Sequence, residues 1–303
     1  MEIILLDRNG FSESIDGICA LYSRAFTGTV SPDTLSHRFL DNPSGDLLAS
    51  VAVDNGKIVA YFGALPSQVN AYGRISKASL SVHAMTDPEY GGRGIFNLLT
   101  EKLYERIAEV GIEYAYVFPN LLSHPTFIRK REMHDVYEFP ALTLELSPDT
   151  AAPACTAKEG INRSAYCHDE NHITIEKSPE YLNWRYYSAP GGIYSMLSLD
   201  DRNWLIYKFF EDKLNVCELH FESKDALEEL IASVISKAVE NKKSCITLWM
   251  SVYDQYHVLL EKMGFRNRYP ITYFGVTLVG ASCDERALDP REWRIQMGDD
   301  NVY

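Results

Sequence analysis

The sequence contains no apolar run near the roughly 20 residues that a membrane-spanning helix requires. Its first residues, Met1–Asp7, also lack the basic start and the small-residue cleavage site of an export signal. The chain has fewer basic than acidic residues, with 29 Lys and Arg and 42 Asp and Glu, which gives a net charge of −13. Nucleic acids and anionic membrane surfaces select basic faces, so neither is an expected partner. We therefore expect a cytoplasmic globular protein.

Closely spaced cysteine pairs are missing as well. The six cysteines are scattered through the 303 residues, as expected for reduced thiols in a cytoplasm. Only Cys155, Cys167, His168 and His172 lie near one another, and their spacing matches no common zinc pattern. No metal site is predicted.

What the chain does contain is a glycine-rich stretch, Thr86–Phe96. It lies between an apolar, strand-like run that ends near Met85 and a long amphipathic helix. Gly91, Gly92 and Gly94 let the backbone adopt conformations closed to other residues and approach a ligand closely. Because the helix starts at the loop, its unpaired N–H groups and positive dipole end face the same point. This combination predicts a pyrophosphate site, with a tight turn that binds no ligand as the alternative.

Two common phosphate loops do not fit this stretch. The nucleoside-triphosphate loop needs a Gly-Lys-Ser/Thr ending, and the dinucleotide fingerprint needs a third glycine where Asn97 stands. The remaining pattern is Pro-x-Tyr-x-Gly-x-Gly-Ile, read here as Pro88–Ile95, and it resembles the acyl-CoA loop of the GCN5-related N-acetyltransferase (GNAT) superfamily. The sequence departs from that motif at Glu89, where Gln or Arg is usual, and at Gly91, where a basic residue is common.

An internal repeat is the second strong feature. Ser31–Phe39 reappears as Ser178–Tyr186 at an offset of 147, and the match continues without a gap to Asp54 and Asp201. In both copies Ser-Pro-acid opens a helix, and two strands joined by a turn follow. The repeat resumes farther on at an offset of 132, so the second copy is 15 residues shorter, and the loss falls around the glycine loop. Coincidence between common cap and turn patterns is the alternative.

The first copy reads as a strand, two helices, three strands, a helix, a strand, a helix and a strand. Its first helix is predicted over Ser14–Ala25, and the helix after the loop begins at Ile95. This is the element order of the acetyltransferase fold. The resemblance implies a mixed α/β (α+β) fold of two tandem acetyltransferase-type lobes, each a mainly antiparallel sheet flanked by helices.

The repeat also predicts how the chain is divided. The acyl-CoA-binding first lobe takes residues 1–146, and an Ala-, Pro- and Thr-rich linker takes residues 147–160. A degenerate second lobe without a glycine loop takes residues 161–279, and a tail takes residues 280–303.

The resemblance also assigns ligand contacts. In this superfamily the strand before the loop splays from the next strand, and backbone N–H groups in the gap bond the pantetheine arm and the acyl carbonyl. The positions that match the cofactor-binding backbone here are Met85, Thr86, Gly91, Gly92, Arg93, Gly94 and Ile95. Asn120 resembles the Asn that often bonds the pantetheine, and a simple loop-turn residue is the alternative.

The catalytic side chains are less well specified by the pattern. Amine acylation needs a base, and histidine titrates near neutrality, which makes His83 and His124 the candidates. A buried structural histidine and a helix-cap residue are the respective alternatives. The superfamily's usual Tyr donor position holds Ile128 here, which excludes a Tyr acid at that site. The tail Trp293–Asp300 could also bring the terminal carboxylate back to the cleft as a base.

The residues and the resemblance together imply an N-acyltransferase that moves an acetyl group from acetyl-CoA to a primary amine of a small molecule by direct attack. A non-catalytic CoA-binding or structural lobe pair is the alternative. Aminoacyl transfer from charged tRNA on the same doubled fold would need a basic channel, which the net charge of −13 opposes.

Overall fold

The computed structural model describes residues 1–26, 28–121, 123–129, 133–165, 169–280 and 282–302. The chain divides into two compact units. The first comprises Met1–Val69, Arg74–Val117 and Val276–Glu285, and the second comprises Asn70–Gly73, Phe118–Gly275 and Arg286–Tyr303. The lobe boundaries given above rest on the sequence repeat and stay a prediction.

The first unit is built on a mixed sheet. Its elements are β1 (Glu2–Leu6), α1 (Arg8–Ala25), α2 (Pro32–Leu40), β2 (Leu48–Asp54), β3 (Lys57–Ala71), β4 (Arg74–Thr86), α3 (Ile95–Glu109) and β5 (Tyr114–Val117). The strands pair in the order β1-β2-β3-β4-β5. The β1–β2 and β2–β3 pairs are antiparallel and the β4–β5 pair is parallel, so the predicted mixed α/β class is confirmed.

The helices of this unit pack their apolar faces on the sheet. α3 contacts β1, β2 and β4, and α1 contacts β1, β4 and α2. The residues of α3 that the packing buries are Ile95, Leu99, Thr100, Leu103 and Ile107. Their spacing of three or four residues is the amphipathic pattern from which the sequence predicts this helix.

Helix α1 begins at Arg8, earlier than the predicted start at Ser14. The reason is the residue before it, because the Asp7 carboxylate accepts a hydrogen bond from the Gly10 amide at 2.7 Å. An acceptor at this position satisfies one of the free N–H groups of the first turn, so the helix extends back to it despite the glycine.

The second unit contains a further sheet. Its elements are α4 (His124–Arg129), β6 (His134–Glu145), β7 (Lys158–Glu159), β8 (Ile173–Ile175), α5 (Pro179–Leu182), β9 (Tyr194–Ser198), β10 (Trp204–Phe210), β11 (Lys213–His220), α6 (Lys224–Glu240), β12 (Cys245–Leu248), α7 (His257–Lys262), β13 (Arg266–Leu278) and β14 (Trp293–Arg294). The main strands follow the order β13-β6-β12-β11-β10-β9-β7. From Val276 onward β13 belongs to the first unit. In the described part of the chain, none of the helices has the length and hydropathy needed to cross a bilayer.

The two Ser-Pro-acid sequences form the same local structure. Ser31 Oγ accepts a hydrogen bond from the Thr34 amide at 3.1 Å, and Ser178 Oγ accepts one from the Tyr181 amide at 3.2 Å. A proline occupies the first turn in both cases. The predicted serine caps are therefore confirmed in both copies, and in the second copy the helix continues as a π-helical turn, Asn183–Tyr187.

Candidate active site

The connection between β4 and α3 is the glycine-rich stretch. It opens with a 3₁₀ turn, Pro88–Tyr90, whose first residues are capped by the Asp87 side chain accepting from the Glu89 amide at 3.2 Å. Gly94 is the N-cap of α3 and has φ +74° and ψ +12°, a left-handed conformation. The helix therefore begins directly at the loop, as the sequence predicts.

Two of the three glycines need to be glycine for conformational reasons. Gly92 and Gly94 both have φ +74°, a region that residues with a Cβ rarely occupy. Gly91 has φ −58° and ψ +151°, which any residue can adopt. Nothing lies within 4 Å of a Cβ built on Gly92, so backbone conformation and not crowding sets its requirement.

The loop presents unused hydrogen-bond donors. The amides of Gly92, Arg93 and Gly94 bond to no acceptor among the residues that the structure describes, and all three residues are exposed. Gly94 offers no side chain to cap the helix, and the first turn of α3 carries no acidic residue. Free N–H groups, the positive helix end and the lack of an acidic residue in the first turn of α3 together fit a phosphate group.

A buried carboxylate anchors the start of the loop. Asp87 is only 2% exposed, and its Oδ2 atom lies 2.7 Å from Arg24 Nε and 2.9 Å from Lys57 Nζ. Its amide donates to the Val59 carbonyl at 2.8 Å. The hydrogen bond from Lys57, followed by those from the Glu89 amide and Arg24, lowers the pKa of Asp87 to about 2. The carboxylate is therefore ionised at neutral pH and ties the loop to α1 and β3.

A second set of contacts holds the middle of the loop. The Tyr90 hydroxyl donates to Asp54 Oδ2 at 2.9 Å. The Arg93 guanidinium lies 4.6 Å from the centre of the Tyr90 ring and donates to the Glu89 carbonyl at 2.9 Å. The side chain of Arg93 is thus folded back on the loop, so the contribution of this residue to a ligand is its backbone amide.

Strand β4 extends beyond the end of β5, its parallel partner. It pairs with β5 only at Ala78–Leu80 but extends to Thr86, so its last residues have no β5 partner. Because the Asp87 amide points to β3, strand alternation turns the Thr86 amide to the opposite side, where β5 has left β4. The pairing between β4 and β5 that the structure records ends at Leu80, and the splay implied by the resemblance stays a prediction.

His83 lies in this last part of β4 among side chains of α1 and α2. Its ring centre is 5.7 Å from that of Phe39 and 5.8 Å from that of Tyr22, and Nε2 is 3.5 Å from Arg38 Nη1. Burial, and then the charge of Arg38, lower the pKa of His83 to about 3. Its φ of +52° marks a local distortion of the strand. The imidazole is therefore neutral at pH 7 and a weak base.

The other two predicted residues, Asn120 and His124, belong to the second compact unit. Asn120 Oδ1 accepts from the Ser123 amide at 3.0 Å, a bond within the turn that precedes α4. His124 Nε2 lies 3.0 Å from Asp135 Oδ2, and its ring stacks on Tyr273 with centres 3.6 Å apart. His124 thus has a carboxylate that orients its ring, an arrangement that the sequence does not indicate.

Among the described residues, no group of three or more His, Cys, Asp or Glu side chains is arranged to hold a metal ion. Of the four residues with clustered spacing, Cys167 and His168 lie outside the described residues. His172 Nδ1 lies 2.9 Å from Asp169 Oδ2, so its ring already has a protein partner. Lys130, Arg131 and Glu132, which follow α4, are also outside the described part.

The sequence profile of the acetyltransferase (GNAT) domain family matches residues 8–133. Residues 8–133 thus have the sequence pattern of a GNAT acetyltransferase domain. The match covers α1 through α4 and includes the glycine loop, so the resemblance carried by Pro88–Ile95 is confirmed at the level of the family. Acyl transfer is the general activity that this family supports. No curated protein sequence matches the chain.

Solved structures extend the likeness to most of the chain. A probable N-acyltransferase from Enterococcus faecalis has a TM-score of 0.70 at 12% identity, covering 92% of this chain and 73% of that one. A GCN5-related N-acetyltransferase from Kribbella flavida has a TM-score of 0.64 at 15% identity, covering 91% and 71%. Eis1 from Mycobacterium abscessus has a TM-score of 0.61 at 14% identity, covering 92% and 74%. At these identities the likeness shows the fold.

Proposed function

We propose that this GNAT protein is an acetyl-CoA-dependent N-acetyltransferase that acetylates a primary amine of a small molecule by direct attack. The single observation that supports this most strongly is the loop before α3. It combines two left-handed glycines, three unbonded amides and a helix start without a cap side chain or an acid. That combination suits the diphosphate of CoA.

The residues proposed to hold the acyl donor act through their backbones. The amides of Gly92, Arg93, Gly94 and Ile95 bind the diphosphate, and Gly91 only completes the turn. Thr86 and Met85 were assigned to the acyl end, and strand alternation favours Thr86, because its amide faces the open side of β4. A donor aimed in advance at the thioester oxygen stabilises the negative charge that develops there.

The chemistry requires one proton acceptor. The neutral amine nitrogen forms a bond to the thioester carbon, the C–S bond breaks, the thiolate leaves, and the nitrogen loses a proton to a base. Of the two candidate bases we favour His124, because Asp135 holds its ring by a hydrogen bond and could stabilise the imidazolium. A pKa near 3 leaves His83 too weak for this role, and we propose that it shapes the end of β4 instead.

The net charge of −13 suits a cationic amine as acceptor, since an acidic protein attracts ammonium groups in solution. It also supports the proposal that neither nucleic acid nor an anionic membrane surface is a partner. The scattered cysteines support the proposal of a cytoplasmic location.

Calorimetric titration with CoA, followed by turnover of acetyl-CoA with a panel of amines, tests this function. Products should be followed by mass spectrometry, because Cys155 is exposed and would react with thiol reagents. We expect heat on titration and an acetylated product from at least one amine. Heat without any product would favour the non-catalytic CoA-binding protein, and no heat would remove the basis of the proposal.

The role of His124 is tested by His124→Gln. We expect kcat to fall about 100-fold, the usual size of a lost general base, while CoA binding stays within about twofold. His134→Gln is the matched control, because His134 is exposed and close in the chain. A His124→Gln enzyme with normal kcat would show that another group accepts the proton.

A further inference from the structure

The last described residues of the chain lie against β11 in the second unit. The Gln296 side-chain carbonyl accepts a hydrogen bond from the Leu219 amide at 2.5 Å, and Gln296 Nε2 lies 3.2 Å from His220 Nε2. A 3₁₀ turn, Met297–Asp299, follows, and the Asp299 carboxylate accepts from the Gln296 amide at 2.7 Å. The tail thus uses a backbone donor of β11 that no neighbouring strand uses.

Buried charges fasten the tail to the strand. Lys177 Nζ pairs with the carboxylate of Asp299 and lies 3.0 Å from Glu218 Oε1, and these three residues are at most 4% exposed. The Tyr186 hydroxyl donates to Glu218 as well. Burial alone would lower the pKa of Lys177, but the two carboxylates outweigh burial and raise it. Removing any one partner leaves charges buried without compensation, so the tail is held firmly.

The tail also fits tightly at Gly298. A Cβ at this position would lie 2.9 Å from the Cys217 carbonyl oxygen and closer still to the Tyr186 hydroxyl and the Glu218 carboxylate. Arg185 donates to the carbonyls of Gly298 at 3.5 Å and of Asp300 at 3.2 Å. The absence of a side chain at Gly298 is what permits this close approach.

The position of the tail has a counterpart in the first unit. Strand β11 pairs in parallel with β12 only through Asn215, then continues to His220, just as β4 leaves β5 after Leu80. Leu219 lies four residues beyond Asn215, and Ala84 lies four residues beyond Leu80. Both strands therefore continue at least four residues beyond the last residue paired with a parallel neighbour.

We propose that residues 296–300 are a built-in occupant of this gap, filling in the second lobe the groove that the pantetheine arm takes in the first. The parallel with pantetheine rests on the proposed function, whereas the occupation of the β11 edge does not. The second lobe then has no accessible acyl-CoA groove, and its β11 edge depends on the tail for protection from water.

Hydrogen–deuterium exchange on the full chain without CoA tests the proposal. In Gln296→Met the acceptor for the Leu219 amide is gone, and we expect the exchange rate of β11 peptides to rise about tenfold or more. Gln68→Met is the control, because it makes the same substitution at an exposed site, and it should leave β11 unchanged.

Two further variants make the test complete. Gly298→Val should expel the tail and raise β11 exchange as much as Gln296→Met does. A chain of residues 1–295 should show the same rise, and a synthetic peptide of residues 296–303 should reverse it. If that chain does not fold, the two point variants Gln296→Met and Gly298→Val decide. Exchange of the β11 peptides at the wild-type rate in both point variants would overturn the proposal. CoA is absent from this experiment, so its result does not depend on whether the CoA titration shows binding.

Discussion

Helices α3 and α6 each follow the strand that extends beyond its parallel partner, and they differ in the cap residue and in the acidic residue of the first turn. α3 starts at Gly94 with no cap side chain and no acid in its first turn. α6 starts at Ser223, whose side chain accepts from the amide of Ala226 at 3.1 Å, and Asp225 stands in its first turn. The preceding connection is an eight-residue glycine loop in one case and three residues in the other.

The difference teaches that the fold alone does not make an anion site. A helix start binds an anion only when its N–H groups are unused and no negative charge competes. In α6 the Ser223 side-chain oxygen already accepts one of the helix N–H groups, and Asp225 repels an anion. The start of α6 is therefore not expected to bind an anion, although it follows a strand and a turn as α3 does. In α3 the glycine cap leaves the donors free. Binding ability is thus set by a handful of residues at one connection.

The largest effect on CoA binding should come from a substitution that prevents the glycine-rich loop from adopting its left-handed conformation. In Gly94→Val a β-branched residue must adopt φ near +74°, which is strongly unfavourable, so the loop will rearrange. We expect CoA affinity to fall about 100-fold, measured by calorimetry.

The matched control is Gly91→Ala in the same loop. Gly91 has an ordinary backbone conformation, and its added Cβ would meet only the Pro88 carbonyl, at 3.3 Å. Its CoA affinity should stay within about twofold of wild type. Equal losses in Gly91→Ala and Gly94→Val would contradict the claim that left-handed backbone, and not glycine content, creates the site.

The next effect concerns Asp87, the buried carboxylate that anchors the glycine-rich loop. Asp87→Asn removes the carboxylate that pairs with Arg24 and Lys57, and we expect the free energy of unfolding to fall by about 2 kcal/mol at pH 7. Denaturant unfolding measures this change. Asp46→Asn is the control, since Asp46 is exposed and lies 3.9 Å from Arg8, and it should change stability by less than about 0.5 kcal/mol.

The same variant makes a prediction about pH. The pKa of Asp87 in the folded protein, about 2, is below its ordinary value, so its contribution is complete above about pH 4 and is lost as pH falls through about 2. The stability difference between wild type and Asp87→Asn should therefore shrink as pH falls from 4 towards 2. A difference that is constant over this range would mean that the ion pairs do not anchor the loop.

A smaller effect on CoA affinity should follow when the first turn of α3 is given an acidic residue, as the first turn of α6 has in Asp225. Asn97→Asp places a carboxylate in the exposed first turn of α3, where it stabilises the helix but repels a diphosphate. We expect CoA affinity to fall up to about fivefold while the melting temperature stays the same or rises slightly.

Asp225→Asn is the reciprocal control in α6. It should lower stability by about 0.5 kcal/mol and leave CoA affinity unchanged. Weaker CoA binding in Asp225→Asn, or unchanged binding in Asn97→Asp, would break the comparison between the two helix starts.

Much of the fold could be predicted from local patterns. The Ser31 and Ser178 caps, the amphipathic α3 and the glycine loop all depend on residues close in sequence, and the structure has them as predicted. The predicted start of α1 at Ser14 is too late, because the apolar period begins after Asp7, the residue that caps the helix. Pattern reasoning finds a helix interior more reliably than its first turn.

The site was predicted only in part, and for a physical reason. Asp87 lies within the glycine-rich stretch, but its partners Arg24 and Lys57 are far from it in sequence, so their ion pairs are visible only after folding. The pairing of His124 with Asp135 and the docking of Gln296 on β11 are likewise contacts made by tertiary structure. The weak basicity of His83 depends on burial beside Arg38, which no spacing in the sequence reports.

The central claim is that one helix start in this chain binds CoA and the other cannot. Calorimetric titration of the full chain with CoA tests it most directly when wild type, Gly94→Val and Ser223→Gly are compared. The account predicts one CoA per chain in wild type and in Ser223→Gly, and an affinity about 100-fold lower in Gly94→Val. Two sites per chain, or undiminished binding in Gly94→Val, would contradict it.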